Sequence, residues 1–228
     1  HSVCGSVVVL FGSLYDGYIA TAVDAYKMAK RKLVLSGGKL NVIAPDSLNV
    51  VRCLVVSKSV DSVLDNFSGS NSGNATLGLD RCYNLQGYNL DLLQAEDAAL
   101  GVDYGLTIGN SQLVNVSGNF WGRRHAVTCG GTDDICVGPG RDIIVDGVYT
   151  NEETTNVQAF DLHGNSEFVQ ASGVFNGGIA VAGDSTNFKG LVKVGLGVVG
   201  RAVVFQELLG WNHDISGLVI DAKVTQPL

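Results

Sequence analysis

Charged side chains are scarce in this sequence. Asp, Glu, Lys and Arg make up 16% of its 228 residues, and the formal net charge is −7. An acidic chain of this kind offers no continuous basic face for phosphates, which argues against general nucleic-acid binding. No apolar run approaches the roughly 20 residues that cross a bilayer, so membrane insertion is not expected. Hydrophobic residues reach 46%, which predicts a large core.

Proline and methionine are nearly absent, with three residues and one residue respectively. Thirty glycines supply tight corners instead, without proline-rich linkers. Valine is frequent, and this bias favours strands over helices. The composition therefore predicts a strand-rich domain with many turns.

The chain also lacks any CxxC pair. An odd number of cysteines spread through apolar surroundings favours reduced, buried thiols and folding in a reducing compartment. The N-terminal "HSVCGS" carries no basic-then-apolar export signal, so the chain is either not exported by that route or is a mature or truncated form. These cysteines are Cys4, Cys53, Cys82, Cys129 and Cys136.

Metal-binding and cofactor-binding patterns are missing as well. The four histidines are far apart, without HxxxH spacing, and the acidic loops lack the calcium-loop pattern. The glycine-rich "GGTDDICVGPGR" lacks the order of a phosphate-binding loop. We therefore expect no metal and no cofactor.

One segment has a helical pattern. "DGYIATAVDAYKMAKRK" begins with a possible N-cap at Asp16 and carries one apolar stripe, which predicts a helix over residues 16–32. "KLVLSGGKLNVI" follows and predicts two short strands around a glycine turn. The apolar stripe consists of Ile19, Ala22, Val23, Tyr26 and Ala29.

From about residue 80 the chain repeats a loose apolar-x-Gly-x-apolar unit at separations of 20 to 31 residues. Units of this length with short strands suit a parallel β-helix, in which each coil pairs with the next at about 4.8 Å. A β-sandwich is the alternative. The central glycines are Gly87, Gly118, Gly147, Gly173, Gly197 and Gly217.

A helix, the "LVLSGGKLNV" strand pair and glycine-bearing coils together resemble the start of pectin-lyase-like right-handed β-helix proteins. The pair "RRHAVTCGG" and "FDLHGN" is similar to segments of bacteriophage tailspike and tail-fibre proteins. The resemblance implies an all-β, right-handed parallel β-helix, with residues 1–48 as the capping helix and first strands and residues 49–228 as the coils. It also implies a homotrimer in the virion tail, made in the host cytoplasm; a secreted bacterial protein is the alternative.

Polar side chains gather on those two motif stretches. Aligning Gly130 with Gly164 places Ala126-Val127-Thr128 beside Phe160-Asp161-Leu162, with "IAVAGDS" continuing the stack. The predicted catalytic residues are His125, Asp161, His163 and Arg124. The predicted substrate-binding residues are Arg123, Trp121, Tyr149, Asp133, Asp134 and Glu153.

Two chemistries on a bacterial surface polysaccharide (capsule or O-antigen) could use this cluster. A glycoside hydrolase would pair Asp161 with a loop carboxylate. A lyase would neutralise a uronate carboxylate with Arg123 or Arg124 and move a proton with His125 or His163. The alternative to both is a non-catalytic carbohydrate-binding or structural β-helix, in which the same residues bind sugar or hold corners.

Overall fold

The computed structural model describes residues 2–4, 7–9, 15–18, 25–28, 32–41, 52–70, 74–93, 104–130, 140–151, 157–194, 202–206 and 212–222. These residues form strands and their connections. None of them forms a helix, and hence none forms an apolar helix long enough to span a membrane. The strands are β1 (Ser2–Cys4), β2 (Val7–Val9), β3 (Tyr15–Tyr18), β4 (Ala25–Met28), β5 (Val34–Asn41), β6 (Leu54–Ser57), β7 (Val60–Ser70), β8 (Ala75–Asp80), β9 (Tyr83–Leu92), β10 (Tyr104–Gly109), β11 (Gln112–Gly122), β12 (His125–Gly130), β13 (Gly140–Asn151), β14 (Phe160–Leu162), β15 (Ser166–Asn176), β16 (Ile179–Val181), β17 (Asn187–Val194), β18 (Val203–Phe205) and β19 (Asp214–Ala222).

Two long parallel sheets form a β-solenoid. The smaller sheet has seven strands in the order β18-β16-β14-β12-β10-β8-β6. The larger sheet has eight strands in the order β19-β17-β15-β13-β11-β9-β7-β5. From β5 to β19, successive strands alternate between these two sheets, so each coil supplies one strand to each, whereas β1-β2 and β3-β4 form separate two-stranded sheets. The prediction of an all-β parallel solenoid is confirmed, and the alternative prediction of a β-sandwich is wrong.

The core lies between the two sheets and runs along the solenoid. In the larger sheet, apolar residues alternate with polar ones, as Val114, Val116 and Phe120 of β11 show. Phe120, Tyr149 and Phe175 stack on adjacent coils, with ring centroids 5.6 Å and 4.5 Å apart. Each coil therefore buries its apolar side chains against its neighbours, and no coil is stable alone.

A column of glycines runs across four neighbouring coils of the larger sheet. Gly118, Gly147, Gly173 and Gly190 are paired in register. A Cβ built on Gly147 would lie 1.9 Å from the carbonyl oxygen of Gly118, so the backbones approach too closely for a side chain.

The repeat predicted from the sequence matches this column only in part. Gly87 pairs with Val116, two positions before Gly118. Gly217 pairs with Lys189, because a bulge shifts the register just before this pair. Gly190 takes the position expected for Gly197, which lies outside the described residues. The unit between Gly173 and Gly190 is therefore shorter than the sequence pattern predicted.

The predicted capping helix is wrong in the parts that the structure describes. Strands β3 and β4 pair antiparallel, with Tyr15 opposite Met28 and Tyr18 opposite Ala25. Tyr15 and Tyr18 are of a residue type that favours extended backbone, and the pairing satisfies the backbone groups without a helix. Residues 19–24 and 29–31 of that prediction lie outside the described residues.

The predicted strand pair around Gly37 and Gly38 is instead the single strand β5. It pairs in parallel with β7, from Val34 opposite Val63 to Asn41 opposite Ser70. Gly37 has a φ of 70° and Gly38 a φ of 137°, so the glycines bend one strand and do not reverse the chain. The predicted boundary between residues 48 and 49 lies outside the described residues.

Candidate functional site

Asp161 lies at the centre of the polar cluster. Its strand neighbours Phe160 and Leu162 both belong to the core, which places the carboxylate on the opposite face of the smaller sheet. The side chain is nevertheless only 5% exposed. A buried carboxylate needs donors, and three polar side chains surround it: His125, His163 and Gln206.

The register of the two motif strands differs by one residue from the predicted alignment. Thr128, not Val127, pairs with Asp161, and β14 continues onto β16 with Asp161 opposite Ala180. The continuation onto "IAVAGDS" is therefore as predicted. The one-residue shift brings Gly130 beside His163, where a Cβ on Gly130 would lie 3.0 Å from the Cβ of His163. The glycine leaves room for the imidazole.

His163 extends from this buried carboxylate to the surface. Its Nε2 lies 2.8 Å from Oδ2 of Asp161, and its side chain is 52% exposed. Because a carboxylate accepts hydrogen bonds, Nε2 is the nitrogen that carries the proton. In the neutral ring, Nδ1 is then the basic nitrogen, which is the arrangement of a histidine oriented for proton transfer.

His125 is buried on the other side of Asp161. Its Nδ1 donates to the carbonyl of Gln158 at 2.6 Å, and its Nε2 lies 3.3 Å from Oδ2 of Asp161. Burial lowers the pKa of His125, although the charge of Asp161 and the Gln158 carbonyl act in the opposite direction. Burial therefore outweighs the nearby carboxylate, and the protonated form of His125 is disfavoured relative to that of an exposed histidine.

The pKa of Asp161 is lowered as well. Burial by itself raises it, but the hydrogen bond from His163, the charges of His125 and His163, and the hydrogen bond from Gln206 together outweigh burial. No carboxylate is among these groups. Asp161 is therefore an ionised acceptor at neutral pH and not a protonated general acid.

We expect acid to destabilise the fold through this pair. A histidine with a folded-state pKa below its ordinary value of 6.5 contributes stability above pH 6.5 and loses it as the pH falls below that value. Asp161 contributes above its ordinary value of 3.8 and loses that contribution as the pH falls through its lowered pKa. Thermal unfolding followed by circular dichroism should show Tm falling between pH 7 and pH 5, and falling less in His125→Gln. Equal slopes in both proteins would contradict the assignment of His125.

Three residues of the cluster were not predicted from the sequence. Tyr104 pairs with His125 one coil earlier, and the two rings stack with centroids 5.6 Å apart. Its hydroxyl accepts from Nη1 of Arg124 at 3.3 Å. Only the matching "LTIG" and "VTCG" segments of β10 and β12 signal this neighbour in the sequence. Gln158 and Gln206 carry no signal, because their contacts join residues 33 and 45 positions apart.

The predicted site residues thus fall into three groups. The structure brings His125, Asp161 and His163 together, with Arg124 beside His125 and Tyr104. Trp121 and Arg123 are half-buried at the end of β11 and in the turn before β12. Asp133, Asp134 and Glu153 lie outside the described residues.

Tyr149, which was predicted to bind substrate, has no exposed surface to offer a sugar. It is fully buried in the aromatic stack, and its hydroxyl donates to the carbonyl of Val145 at 2.8 Å, with the Ser172 carbonyl at 3.1 Å. Burial raises its pKa well above the ordinary value. The apolar alternation of β13 points this ring inward.

Cys82 and Cys129 are buried free thiols, and Cys53 is half-buried, with its Sγ donating to the carbonyl of Ser70 at 2.9 Å. Burial raises the pKa of both buried thiols, which keeps them protonated. The side chain of Cys4 and the whole of Cys136 are not described. In the described part of the chain, no group of three His, Cys, Asp or Glu side chains has an arrangement that could hold a metal ion.

Comparisons with known proteins agree with this architecture. Residues 70–223, about two thirds of the chain, match the family described as Gp49, pectin lyase-like. The fold is similar to the tailspike protein gp49 of Pseudomonas phage LKA1 (TM-score 0.61, 22% identity, 74% of this chain and 28% of that one). It is also similar to the tailspike gp61 of Pseudomonas phage phi297 (TM-score 0.63, 20% identity, 76% and 29%). The chain spans less than a third of either tailspike, and no curated protein sequence matches it.

Proposed function

The chain belongs to the Gp49, pectin lyase-like family, and from this premise we propose that it binds and depolymerises a bacterial surface polysaccharide. The observation that carries the proposal is the half-exposed His163, which is held through Nε2 by the buried carboxylate of Asp161. A carboxylate that orients a histidine makes the opposite ring nitrogen an effective proton acceptor.

β-Elimination at a uronate residue fits this site better than hydrolysis. Nδ1 of His163 would take the proton from C5 of the uronate, and the electrons left behind would form the C4–C5 double bond. The C4–O bond would break, and the leaving oxygen would receive a proton from the imidazolium. His163 would end the cycle neutral, so the same residue serves as base and then as acid.

The cationic side chain of Arg124 suits the anionic substrate of this reaction. Removal of the C5 proton is favoured when the adjacent carboxylate is neutralised. Arg124 is half-buried, donates to the Tyr104 hydroxyl and lies close enough to influence His125. Arg123, next to it in the chain, and Trp121 are proposed to bind the neighbouring part of the substrate.

Hydrolysis is the second candidate, since the described cluster contains one carboxylate, that of Asp161. A glycosidase needs two carboxyl groups, about 5–9.5 Å apart, and one of them must be protonated. The groups that act on Asp161 are histidines and a glutamine, and they lower its pKa. Asp161 is therefore better suited to orient a histidine than to act as an acid.

The test is incubation with a panel of purified capsular and O-antigen polysaccharides. The wild-type protein should produce near-ultraviolet absorbance from the unsaturated uronate together with new reducing ends. Reducing ends without absorbance would establish hydrolysis, and retention of intact polymer without any cleavage would leave only binding. A protein that neither cleaves nor retains any polysaccharide of the panel would contradict the proposal.

His163→Gln provides the mechanistic arm of the same assay. The Gln side chain can still donate a hydrogen bond to Asp161, but it cannot act as a base at neutral pH. Turnover should therefore fall about 100-fold to 10,000-fold. His213→Gln is the matched control, because His213 is also a histidine at a coil corner, with Nδ1 2.8 Å from Oγ1 of Thr186. Its turnover should equal that of the wild type, and equal losses in the two variants would assign His163 a structural role.

A homotrimer in a phage tail is the assembly that we propose for the protein. Val148, Val174, Leu191 and Val219 are in register on the outer face of the larger sheet, and Val148 and Val219 are 39% and 65% exposed. An apolar stripe across four coils is suited to contact between subunits. Sedimentation equilibrium should then give three times the 23.9 kDa chain mass, whereas a monomer mass would contradict this proposal.

A further inference from the structure

A second column of unusual backbone crosses the larger sheet, at the corner where each coil enters it. Seven successive coils each place a residue with φ between 53° and 63° at the same position. This left-handed conformation suits Asn, Asp and Gly, and it is unfavourable for bulky side chains. The residues are Asp61, Asn84, Leu113, Asp142, Phe168, Ser185 and Asn212.

Two members of this column are bulky and apolar. Leu113 and Phe168 each have a φ of 54° and are 40% and 42% exposed. Burial of either side chain therefore contributes too little free energy to offset the cost of the strained backbone. Strained backbone positions occur often at ligand-binding sites. Phe168 differs from Leu113 in one respect: its aromatic ring has a charged partner.

Arg141 covers one face of the Phe168 ring. Its guanidinium carbon lies 5.1 Å from the ring centroid, and its Nε lies 3.4 Å from Oε2 of Glu167. Asp142 adds a second carboxylate, 3.9 Å from the same nitrogen. An aromatic surface bordered by an arginine and carboxylates offers stacking for a sugar ring together with donors and acceptors for hydroxyl groups.

Phe168 is also close to the proposed catalytic histidine. It lies five positions after His163 in the chain, a path of at most about 18 Å. The corner between the two sheets lies within that path, since β14 ends at Leu162 and β15 begins at Ser166. A polysaccharide bound at His163 can therefore extend around this corner.

We propose that Phe168, Arg141 and Glu167 form a second sugar-binding subsite, which holds an uncharged residue of the same polysaccharide. Two carboxylates surround one guanidinium, so the local charge disfavours a second uronate. The proposal rests on the proposed function. It assigns Phe168 a contact with substrate away from the reacting atoms.

Phe168→Asn separates strain from binding because the two effects have opposite signs. Asn tolerates the left-handed conformation, so Tm should rise by about 2–4 °C. The loss of the stacking surface should raise KM about tenfold and leave kcat unchanged. The variant should also be retained more weakly than the wild type in electrophoresis through a gel that contains the polysaccharide that the wild type cleaves. An unchanged KM together with unchanged retention would overturn the subsite.

Leu113→Asn is the matched control, with the same φ and nearly the same exposure but no aromatic ring. It should raise Tm equally and leave KM unchanged, and an equal loss of affinity in both variants would overturn the assignment to Phe168. A lower oligomer mass in Phe168→Asn by light scattering would place the ring at a subunit interface instead. Failure of the wild type to bind any polysaccharide would refute the proposed function itself, whereas wild-type binding that Phe168→Asn matches would refute only the subsite.

Discussion

Replacing Gly147 by alanine should lower the free energy of unfolding by at least about 3 kcal/mol. The added Cβ would lie 1.9 Å from the carbonyl oxygen of Gly118, and this oxygen belongs to a strand that cannot withdraw without breaking its pairing. Gly147 has no positive φ, so the cost comes from the close approach of two backbones and not from conformation. Urea denaturation of the purified variant measures this difference.

Gly109→Ala is the control for the loss of a strand glycine. A Cβ at Gly109 would have its nearest contact at 3.8 Å, with Oδ1 of Asp80, which is ordinary van der Waals distance. Its stability should stay within about 1 kcal/mol of the wild type. If the two variants were equally stable, the close pairing of the glycine column would be incorrect.

Asp161→Asn should reduce turnover about 1,000-fold while the protein still folds. The carboxylate accepts from both His163 and Gln206, whereas an amide offers one oxygen and one NH₂ donor. Either His163 or Gln206 would then point its N–H group at the NH₂ group of the new amide, and His163 would lose its orientation. The buried mismatch should also cost about 1–3 kcal/mol of stability.

We propose that Asp161 positions His163, and the kinetic constants distinguish this role from a purely structural one. We expect kcat to fall and KM to stay near the wild-type value. Asp146→Asn is the matched control, because Asp146 is an exposed aspartate that accepts from Oγ of Ser172 at 2.8 Å on the other sheet. A comparable loss of kcat in both variants would remove Asp161 from the site.

Much of the architecture can be predicted from the sequence because it depends on local chemistry. Valine-rich alternation and frequent glycines predict parallel coils, and the pairs "RRHAVTCGG" and "FDLHGN" do occupy neighbouring strands of one sheet. His125, Asp161 and His163 can be identified as a cluster for the same reason. These inferences need only the types of residue and their approximate spacing.

The register and the core could not be predicted in this way. The spacing between coils varies, from 29 residues between Gly118 and Gly147 to 17 between Gly173 and Gly190. A one-residue error therefore placed Val127 where Thr128 pairs with Asp161. Tyr149 was assigned to the surface for a related reason: an aromatic residue near a motif has the same composition whether it packs inward or outward.

What the sequence alone determined is the strand-rich solenoid and the set of polar residues on two motif strands, because both follow from side-chain chemistry along the chain. Only the tertiary structure decided which atoms meet. It placed Gln206, 45 residues away, on Asp161, and it held His163 at the surface by a buried carboxylate. These contacts depend on how the coils stack, and stacking is set by backbone pairing between segments far apart in the chain.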